Sequence, residues 1–238
     1  MRLLGLGSLR RAADAKADPA RLAAVGAAVR ARLLADPRAE PRGGHKADLF
    51  AVPGFLTAQQ CRALVAAIDS EIAPSTLFGD GAGRTGAADL RTSSTHYFRD
   101  NPAGLRLGQR IDALLGLDRA HAEPMQGQRY RVGEQYRHHS DHFRPERDHW
   151  RRERLRGGQR TWTAMVYLNA VEAGGATDFP RLSLSIVPEP GLLVVWNNMD
   201  RRGRPNPTLL HAGLPVEAGE KYVITQWYRL EPWPVRPG

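Results

Sequence analysis

Cysteine is almost absent from this sequence, since Cys61 is the only one among 238 residues. A single thiol excludes an intramolecular disulfide and any zinc site built from several cysteines. We therefore expect a reducing compartment, and a bound metal ion would have to be held by His, Asp or Glu.

Long apolar runs are missing as well. No segment of the sequence reaches the roughly eighteen apolar residues that a membrane span needs. The N-terminal segment MRLLGLGSLRRAADAKADPARL has too short an apolar stretch for a secretory signal. These features predict a soluble, cytoplasmic protein with no membrane partner.

Acidic residues are fewer than basic ones, at 25 against 34, which gives a net charge of +9. Such an excess favours an acidic partner, whether a nucleic acid, an acidic protein or a small anion. Enrichment in Ala, Arg and Gly can also reflect the base composition of the coding sequence. Charge alone therefore does not lead us to expect nucleic-acid binding.

The helix signals lie in the first half of the chain. We predict a helical N-terminal appendage with a linker over residues 1–47, in which Asp18 caps a helix that starts at Pro19. The linker is the Pro- and Gly-rich stretch 37–46. In the main domain, predicted over 48–238, a capping box at Thr57 and an N-cap at Asn101 begin two more helices.

The second half reads as β-structure. Short β-branched and aromatic segments, such as TWTAMVYLNAV and KYVITQWYRL, alternate with Gly, Pro and Asn. Helices followed by many short antiparallel strands favour an α+β fold in which a sandwich or jelly roll, about 124–233, carries helices on one face.

The stretch EQYRHHSDHF, residues 134–143, concentrates possible metal ligands. If it continues a strand, His139 and Asp141 point to one face, and His138 and His142 to the other. The segment His121–Ala122–Glu123 has the same spacing, but it precedes a proline in what reads as an exposed connection, so we favour the first pair.

A third ligand is available in LLHAGLPV, where His211 ends an apolar run. Two histidines and one carboxylate on one side of an ion suit non-haem Fe(II), because three positions stay open for a chelating co-substrate and oxygen. Zinc remains the alternative, although no Glu sits beside a ligand as in the H-E-x-x-H motif.

At this point the sequence resembles the prolyl 4-hydroxylase-like branch of the 2-oxoglutarate- and Fe(II)-dependent oxygenases. The resemblance runs from about Leu49 to Trp233 and depends on four motifs in order. They are LRTSS at 90–94, YRVGEQYRHHSDHF at 130–143, RTWTAMVYLNAVEAGGATDFP at 160–180 and PNPTLLHAGLPVEAGEKYVITQWYR at 205–229.

The resemblance implies a double-stranded β-helix (jelly roll) that uses Fe(II), 2-oxoglutarate, O2 and ascorbate. The residues that match the iron ligands are His139, Asp141 and His211. Those that match the pocket for 2-oxoglutarate are Lys221, which would face the distal carboxylate, with Tyr130, Tyr167 and Thr225. Those that match positions near the peptide substrate are Arg91, Ser93, Arg160 and Trp227.

Strand periodicity agrees with this assignment. Lys221 and Thr225 share one face of a strand, so both can line a single pocket. A buried cation is what the far carboxylate of 2-oxoglutarate requires. We expect the aliphatic and aromatic residues nearby to exclude water from the site, namely Val166, Leu168, Val194 and Trp196.

Two departures from the family pattern affect the substrate. The basic insert, residues 144–160, carries seven arginines against three acidic residues. It could gate the site or meet an acidic partner, but a solvated helix or loop is the simpler interpretation. Tyr228 and Arg229 follow the tryptophan where some collagen-type enzymes have a histidine, which weakens an inference to collagen-like peptides.

The sequence therefore predicts a dioxygenase that hydroxylates a prolyl residue in a protein or peptide, giving succinate, CO2 and 4-hydroxyproline. A free amino acid or natural-product hydroxylase stays open. A nucleic-acid dealkylase of the same fold is disfavoured, since that family typically has arginine where this chain has Lys221. A non-catalytic jelly-roll binding module is the alternative from another class.

Overall fold

The computed structural model describes residues 17–75, 90–99, 101–147 and 149–234. The described helices are α1 (Pro19–Ala35), α2 (Ala58–Ser70), α3 (Pro102–Leu115) and the short α4 (Trp150–Glu153). None of the described helices is long and apolar enough to cross a membrane.

The strands follow in chain order. They are β1 (Glu40–Pro41), β2 (Leu49–Val52), β3 (Ala73–Pro74), β4 (Ser94–Phe98), β5 (Met125–Tyr130), β6 (Tyr136–His139), β7 (Arg160–Tyr167), β8 (Ala173–Gly174), β9 (Thr177–Phe179), β10 (Leu184–Ile186), β11 (Leu193–Asn197), β12 (His211–Gly213), β13 (Val216–Ala218) and β14 (Lys221–Arg229).

Local sequence determines where the helices begin. The Asp18 carboxylate accepts a hydrogen bond from the amide of Ala20, and the predicted capping box of Thr57 and Gln60 is present in both directions. Asn101 caps α3, which ends at Gly116 in the left-handed conformation. Each of these caps satisfies backbone amides or carbonyls that a helix end would otherwise leave unpaired.

Two sheets face each other. The larger has eight strands in the order β1-β2-β11-β7-β14-β5-β4-β3, and the smaller has four in the order β10-β9-β12-β6; β8 and β13 form a separate pair. All neighbouring strands in these sheets are antiparallel. The predicted double-stranded β-helix with flanking helices is confirmed.

The large sheet separates two apolar clusters. On its helical face Val166, Leu168 and Ile224 pack with residues of α1, α2 and α3. On its other face Val194 and Trp196 pack towards the small sheet. The prediction that Val166 and Leu168 shield the site was wrong, because strand alternation turns them to the helical face.

Helix α1 packs into the first of these clusters through Val29 and Leu33, which are 1% and 0% exposed. Full burial of such side chains contributes about 1.5–3 kcal/mol each. The predicted linker contains β1, which pairs with β2. Residues 1–16 of the predicted appendage lie outside the described residues, and the division at residue 47 stays a prediction.

Candidate metal centre

Three side chains converge between the sheets. His139 ends β6, His211 begins the neighbouring β12, and the two are directly opposite in the antiparallel register. The Nε2 atoms of His139 and His211 lie 3.8 Å and 3.9 Å from the two carboxylate oxygens of Asp141. One ligand atom from each residue falls within 4.8 Å of the others, so a single ion can contact all three.

Asp141 reaches this position from outside a strand. β6 stops at His139, and Asp141 lies in the bend that follows. The expectation that His139 and Asp141 share one strand face was therefore wrong in its mechanism, although their side chains do meet.

The hydrogen bonds of the rings determine which nitrogens face the centre. Nδ1 of His139 lies 2.8 Å from the carbonyl of Arg137, and Nδ1 of His211 lies 2.9 Å from that of Leu209. Because a carbonyl oxygen only accepts, both Nδ1 atoms carry the proton. The lone pair of each Nε2 is then free for a metal ion.

The protonation states of His139 and Asp141 also favour binding of a metal ion. Burial lowers the pKa of His139 to about 3, and the neighbouring His211 adds to this effect. Burial alone would raise the pKa of Asp141, but the two histidines, Arg160 and a hydrogen bond from Thr163 outweigh it and lower the pKa. At neutral pH the centre thus offers the neutral imidazole of His139 and the ionised carboxylate of Asp141, beside the ring of His211.

Neighbouring groups hold the ligands in place. The Thr163 hydroxyl donates to Oδ2 of Asp141 at 2.8 Å, and the Asn198 amide donates to that hydroxyl at 3.0 Å. Tyr136 stacks on the His139 ring at 3.6 Å between centroids, and Trp196 packs edge-on against His211 at 5.0 Å. The donor atoms are therefore oriented before any ion binds.

Lys221 lies in the same cavity as a buried cation. It is 3% exposed, and its Nζ lies 5.5 Å from the ring centroids of both Tyr130 and Tyr167. Burial lowers its pKa to about 7. No carboxylate among the described residues pairs with it, so the cavity lacks the negative charge that a buried ammonium requires.

The other predicted pocket residues surround Lys221. Tyr130 and Thr225 line the cavity, while the Tyr167 hydroxyl hydrogen-bonds to Thr177 at 2.6 Å. Thr225 donates to the side chain of Gln128 at 3.1 Å. The hydroxyls of Tyr167 and Thr225 thus have partners within the chain, which leaves the ammonium and the Tyr130 hydroxyl to bind a ligand.

The predicted substrate residues lie at one side of the cavity. Arg91 and Trp227 line it, and Ser93 accepts a hydrogen bond from Nε of Arg91 at 3.0 Å. The guanidinium of Arg160 lies 4.3 Å from the Trp227 ring centroid, with Nη1 4.0 Å from Asp141. Arg91 has neutral hydrogen-bond acceptors and no described carboxylate as partners.

Sequence reasoning missed a buried charge network beside this wall. Glu123 is 4% exposed and accepts from Nε and Nη2 of Arg160 at 2.6 and 2.8 Å; it also pairs with Arg229. Burial alone would raise the pKa of Glu123, but the two guanidinium groups outweigh it and lower the pKa. The interpretation of residues 121–123 as an exposed connection was wrong.

The other two histidines of residues 134–143 lie outside the group formed by His139, Asp141 and His211. His138 is half exposed, with Nε2 3.5 Å from Asp178, and His142 is partly buried beside Asp141. The only three-residue group of possible metal ligands among the described residues is His139, Asp141 and His211.

Comparison with known proteins shows which proteins this chain is similar to. Residues 125–229, which include the three converging residues and Lys221, match the sequence model of the 2OG-Fe(II) oxygenase superfamily. Prolyl 4-hydroxylase subunit alpha-1 of Rattus norvegicus is 35% identical over 155 residues, covering 64% of this chain and 29% of that protein. Prolyl 4-hydroxylase 2 of Arabidopsis thaliana is 28% identical over 209 residues, covering 78% and 68%.

Solved structures agree. The viral collagen prolyl hydroxylase of Paramecium bursaria Chlorella virus-1, in complex with 2OG, has a TM-score of 0.59 and 29% identity over 76% of this chain and 95% of that chain. A Trichoplax adhaerens prolyl hydroxylase, at 18% identity, a TM-score of 0.57 and coverage of 95% and 94%, shares the fold.

The match spans less than a third of the rat subunit, so it concerns one part of that protein. Within that part, family motifs, fold and site geometry coincide. Over the matched parts, the chain is thus similar to the 2OG-Fe(II) oxygenase superfamily and, within it, to prolyl 4-hydroxylases.

Proposed function

We propose that this protein is a 2-oxoglutarate-dependent dioxygenase that hydroxylates a prolyl residue of a protein or peptide. One observation carries the proposal: a centre of two imidazoles and one carboxylate shares a cavity with Lys221, a buried lysine that has no described counter-ion. The first fits a metal ion, and the second fits the distal carboxylate of a chelating co-substrate.

Fe(II) fits the ligand set better than hydrolytic zinc. Three protein ligands, two N and one O, leave room for co-substrate and oxygen on one ion. A hydrolytic zinc site would need a general base close to its water. Asp141 is the only carboxylate among the residues that line the cavity, and it is already a proposed ligand.

The chain's own groups would each do part of the work. Fe(II) with 2-oxoglutarate and O2 supplies the oxidising chemistry, and the balanced reaction gives succinate, CO2 and the hydroxylated product. Lys221 would bind the distal carboxylate, and Thr163 would orient Asp141. Trp196 and Met165 line the cavity and would keep bulk water from the reacting groups.

The prolyl substrate is inferred from the relatives. Arg91 and Trp227, the latter with the Arg160 guanidinium over its ring, would form the wall against which a polypeptide lies. Trp227, held under the Arg160 guanidinium, offers a flat apolar face of the kind that packs against a pyrrolidine ring. Ascorbate as reductant and a cytoplasmic location belong to the same proposal.

The test is a coupled assay. Purified protein with Fe(II), ascorbate and 2-oxoglutarate is given a panel of proline-containing peptides, and both succinate and the gain of one oxygen atom are followed by mass spectrometry. We expect oxygen on proline in at least one peptide, and no turnover by His139→Ala. Oxygen on a free amino acid, or repair of alkylated DNA, would replace the prolyl assignment.

The enzyme assignment has its own control. Because such enzymes can also release succinate slowly without a prime substrate, the absence of succinate under all conditions would count against the enzyme assignment. If wild-type protein and His139→Ala bind metal equally and neither forms succinate, the protein is a binding module and the proposed activity is wrong.

A further inference from the structure

The basic insert, residues 144–160, is held firmly against the domain, although residues 144–147, Arg151, Arg152 and Leu155 are exposed. At its base, the side chain of Gln159 binds the backbone of Phe143 twice, through its oxygen at 2.7 Å and its nitrogen at 2.8 Å. Further out, Trp150 is 8% exposed, which anchors the one described helix of the insert. The insert therefore packs against the domain in a defined position.

A buried ion pair fixes the insert to the last strand. Glu153 is 3% exposed and accepts from Nη2 of Arg229 at 2.7 Å. Arg229 also pairs with Glu123, which in turn holds Arg160. A carboxylate buried between two elements requires this pairing, so the insert docks in one orientation.

This docking gives the insert an unequal charge distribution. Glu153 is buried and its charge is neutralised by Arg229. Arg144, Arg147 and Arg151 are exposed and form no ion pair with a described residue. When the paired Glu153 and Arg160 are left out, the insert has six arginines and two acidic residues, Glu146 and Asp148. Its remaining net charge is +4. The outer face is thus strongly cationic. We call Arg144, Arg147 and Arg151, with the exposed Leu155, the insert face.

The insert face begins, at Arg144, close to the candidate metal centre. Arg144 is three residues from Asp141, so their Cα atoms lie within about 11 Å of each other along an extended chain. The ring of Phe143 is 5.0 Å from the guanidinium of Arg160, which covers Trp227 in the cavity wall. A polypeptide in the cavity would therefore pass the insert face with residues a few positions away from the reacting one.

We propose that the insert face is a docking surface for an acidic segment of the polypeptide substrate, a few residues from the target proline. This inference rests on the proposed function and adds a substrate class to it. Carboxylates suit the arginines of the insert face because each can pair with a guanidinium in two-point contact. Leu155, 69% exposed, adds an aliphatic contact.

A polypeptide fits the insert face better than a nucleic acid. Single-stranded nucleic acids are bound by arginines together with exposed aromatic rings on which bases stack. In the described part of the insert and its base, Trp150 is buried, and Phe143 lies between the guanidinium groups of Arg160 and Arg229, at 5.0 and 4.5 Å. The insert face itself offers an aliphatic side chain in place of a ring.

The test compares one proline-containing core peptide flanked by four Glu, four Gln or four Lys on either side. Fluorescence anisotropy measures binding to the metal-loaded protein, and succinate release measures turnover. For wild-type protein at low salt we expect the Glu-flanked peptide to bind about 10-fold more tightly than the Gln-flanked one, and the advantage to fall to about 2-fold in 0.5 M NaCl.

The decisive variant is Arg144→Glu with Arg147→Glu and Arg151→Glu. We expect the ratio of kcat/KM for Glu- over Gln-flanked peptide to fall from about 10 to about 1. The matched control reverses the exposed Arg62, Arg106 and Arg201, which carry the same total charge elsewhere on the chain; its ratio should stay near 10. If the reversal does not fold, the same three positions changed to Gln should give an intermediate ratio.

The outcomes separate the two proposals. Equal binding of Glu-, Gln- and Lys-flanked peptides, or equal loss of preference in test and control variants, overturns the docking surface. Tighter binding of a single-stranded oligonucleotide than of the Glu-flanked peptide also overturns it. Preferential binding that is lost only in the insert variant supports it, even if no peptide is turned over; absent turnover counts against the proposed activity alone.

Discussion

His139 and His211 lie directly opposite each other in the antiparallel pairing of β6 and β12, with their ring centroids 4.3 Å apart. Since both Nδ1 atoms are engaged with backbone carbonyls, both free Nε2 atoms face Asp141. The register of these two strands thus holds together two imidazoles that are more than seventy positions apart in the chain.

The first prediction concerns metal binding. His139→Ala or His211→Ala removes one of three ligands and should weaken binding of Fe(II) or Mn(II) at least 100-fold, as measured by titration calorimetry under argon. His138→Ala is the matched control, because its side chain is half exposed and outside the metal group. Equal losses in the His138 and His139 variants would contradict the assignment.

The second prediction concerns pH. The pKa of Lys221 is lowered to about 7 by burial, and the co-substrate carboxylate pairs with the protonated form. The dissociation constant for 2-oxoglutarate should therefore be constant below about pH 7 and rise up to tenfold per pH unit above it. Lys221→Arg, which stays charged, should remove this rise. The same slope in both proteins would show that another group causes it.

The third prediction concerns the stability cost of that lysine. Its folded pKa lies below the ordinary value of 10.5, so between about pH 7 and 10.5 the unfolded chain binds more protons and the free energy of unfolding rises with pH. Lys221→Met should stabilise the ligand-free protein at pH 7 by on the order of 3 kcal/mol in denaturant melts. Lys46→Met, on the surface, should change little.

The fourth prediction concerns the buried charges. Glu123→Gln leaves Arg160 with only the more distant Asp141 carboxylate, at 4.0 Å, and Arg229 with only Glu153, and should lower the free energy of unfolding by about 3–5 kcal/mol. The exposed Glu217→Gln is the control and should stay within about 0.5 kcal/mol of wild type. Thermal melts of both variants measure these changes. A small loss of unfolding free energy for Glu123→Gln would mean that water solvates the charge network.

The fifth prediction concerns helix α1. Leu33 is 0% exposed in the main apolar cluster, and the next residue, Leu34, is 60% exposed. Leu33→Ala should cost about 2–5 kcal/mol of unfolding free energy, whereas Leu34→Ala should cost less than about 0.5 kcal/mol. Similar small effects at both positions would show that α1 folds as an independent appendage.

Local patterns in the sequence were sufficient for the helix starts and the metal group. The caps at Asp18, Thr57 and Asn101 depend on side chains within three residues of the amides they bind. The choice of His139, Asp141, His211 and Lys221 came from ordered motifs, and the structure brings these residues to one cavity. The roles of the pocket residues stay predictions until they are measured.

Long-range charge pairing could not be predicted in the same way. Glu123, Glu153, Arg160 and Arg229 belong to four separate segments, and spacing along the chain gives no indication that they meet. The same holds for the face on which Val166 and Leu168 lie, because the periodicity shows alternation but not which side carries the helices.

By itself the sequence determined the helix caps and predicted the family resemblance and the candidate metal ligands, since these depend on side-chain chemistry and local order. Only the tertiary structure decided that Lys221 has no counter-ion among the described residues, that Glu153 fixes the basic insert, and that Arg144, Arg147 and Arg151 remain exposed. The physical reason is that burial and ion pairing depend on which distant segments are packed together.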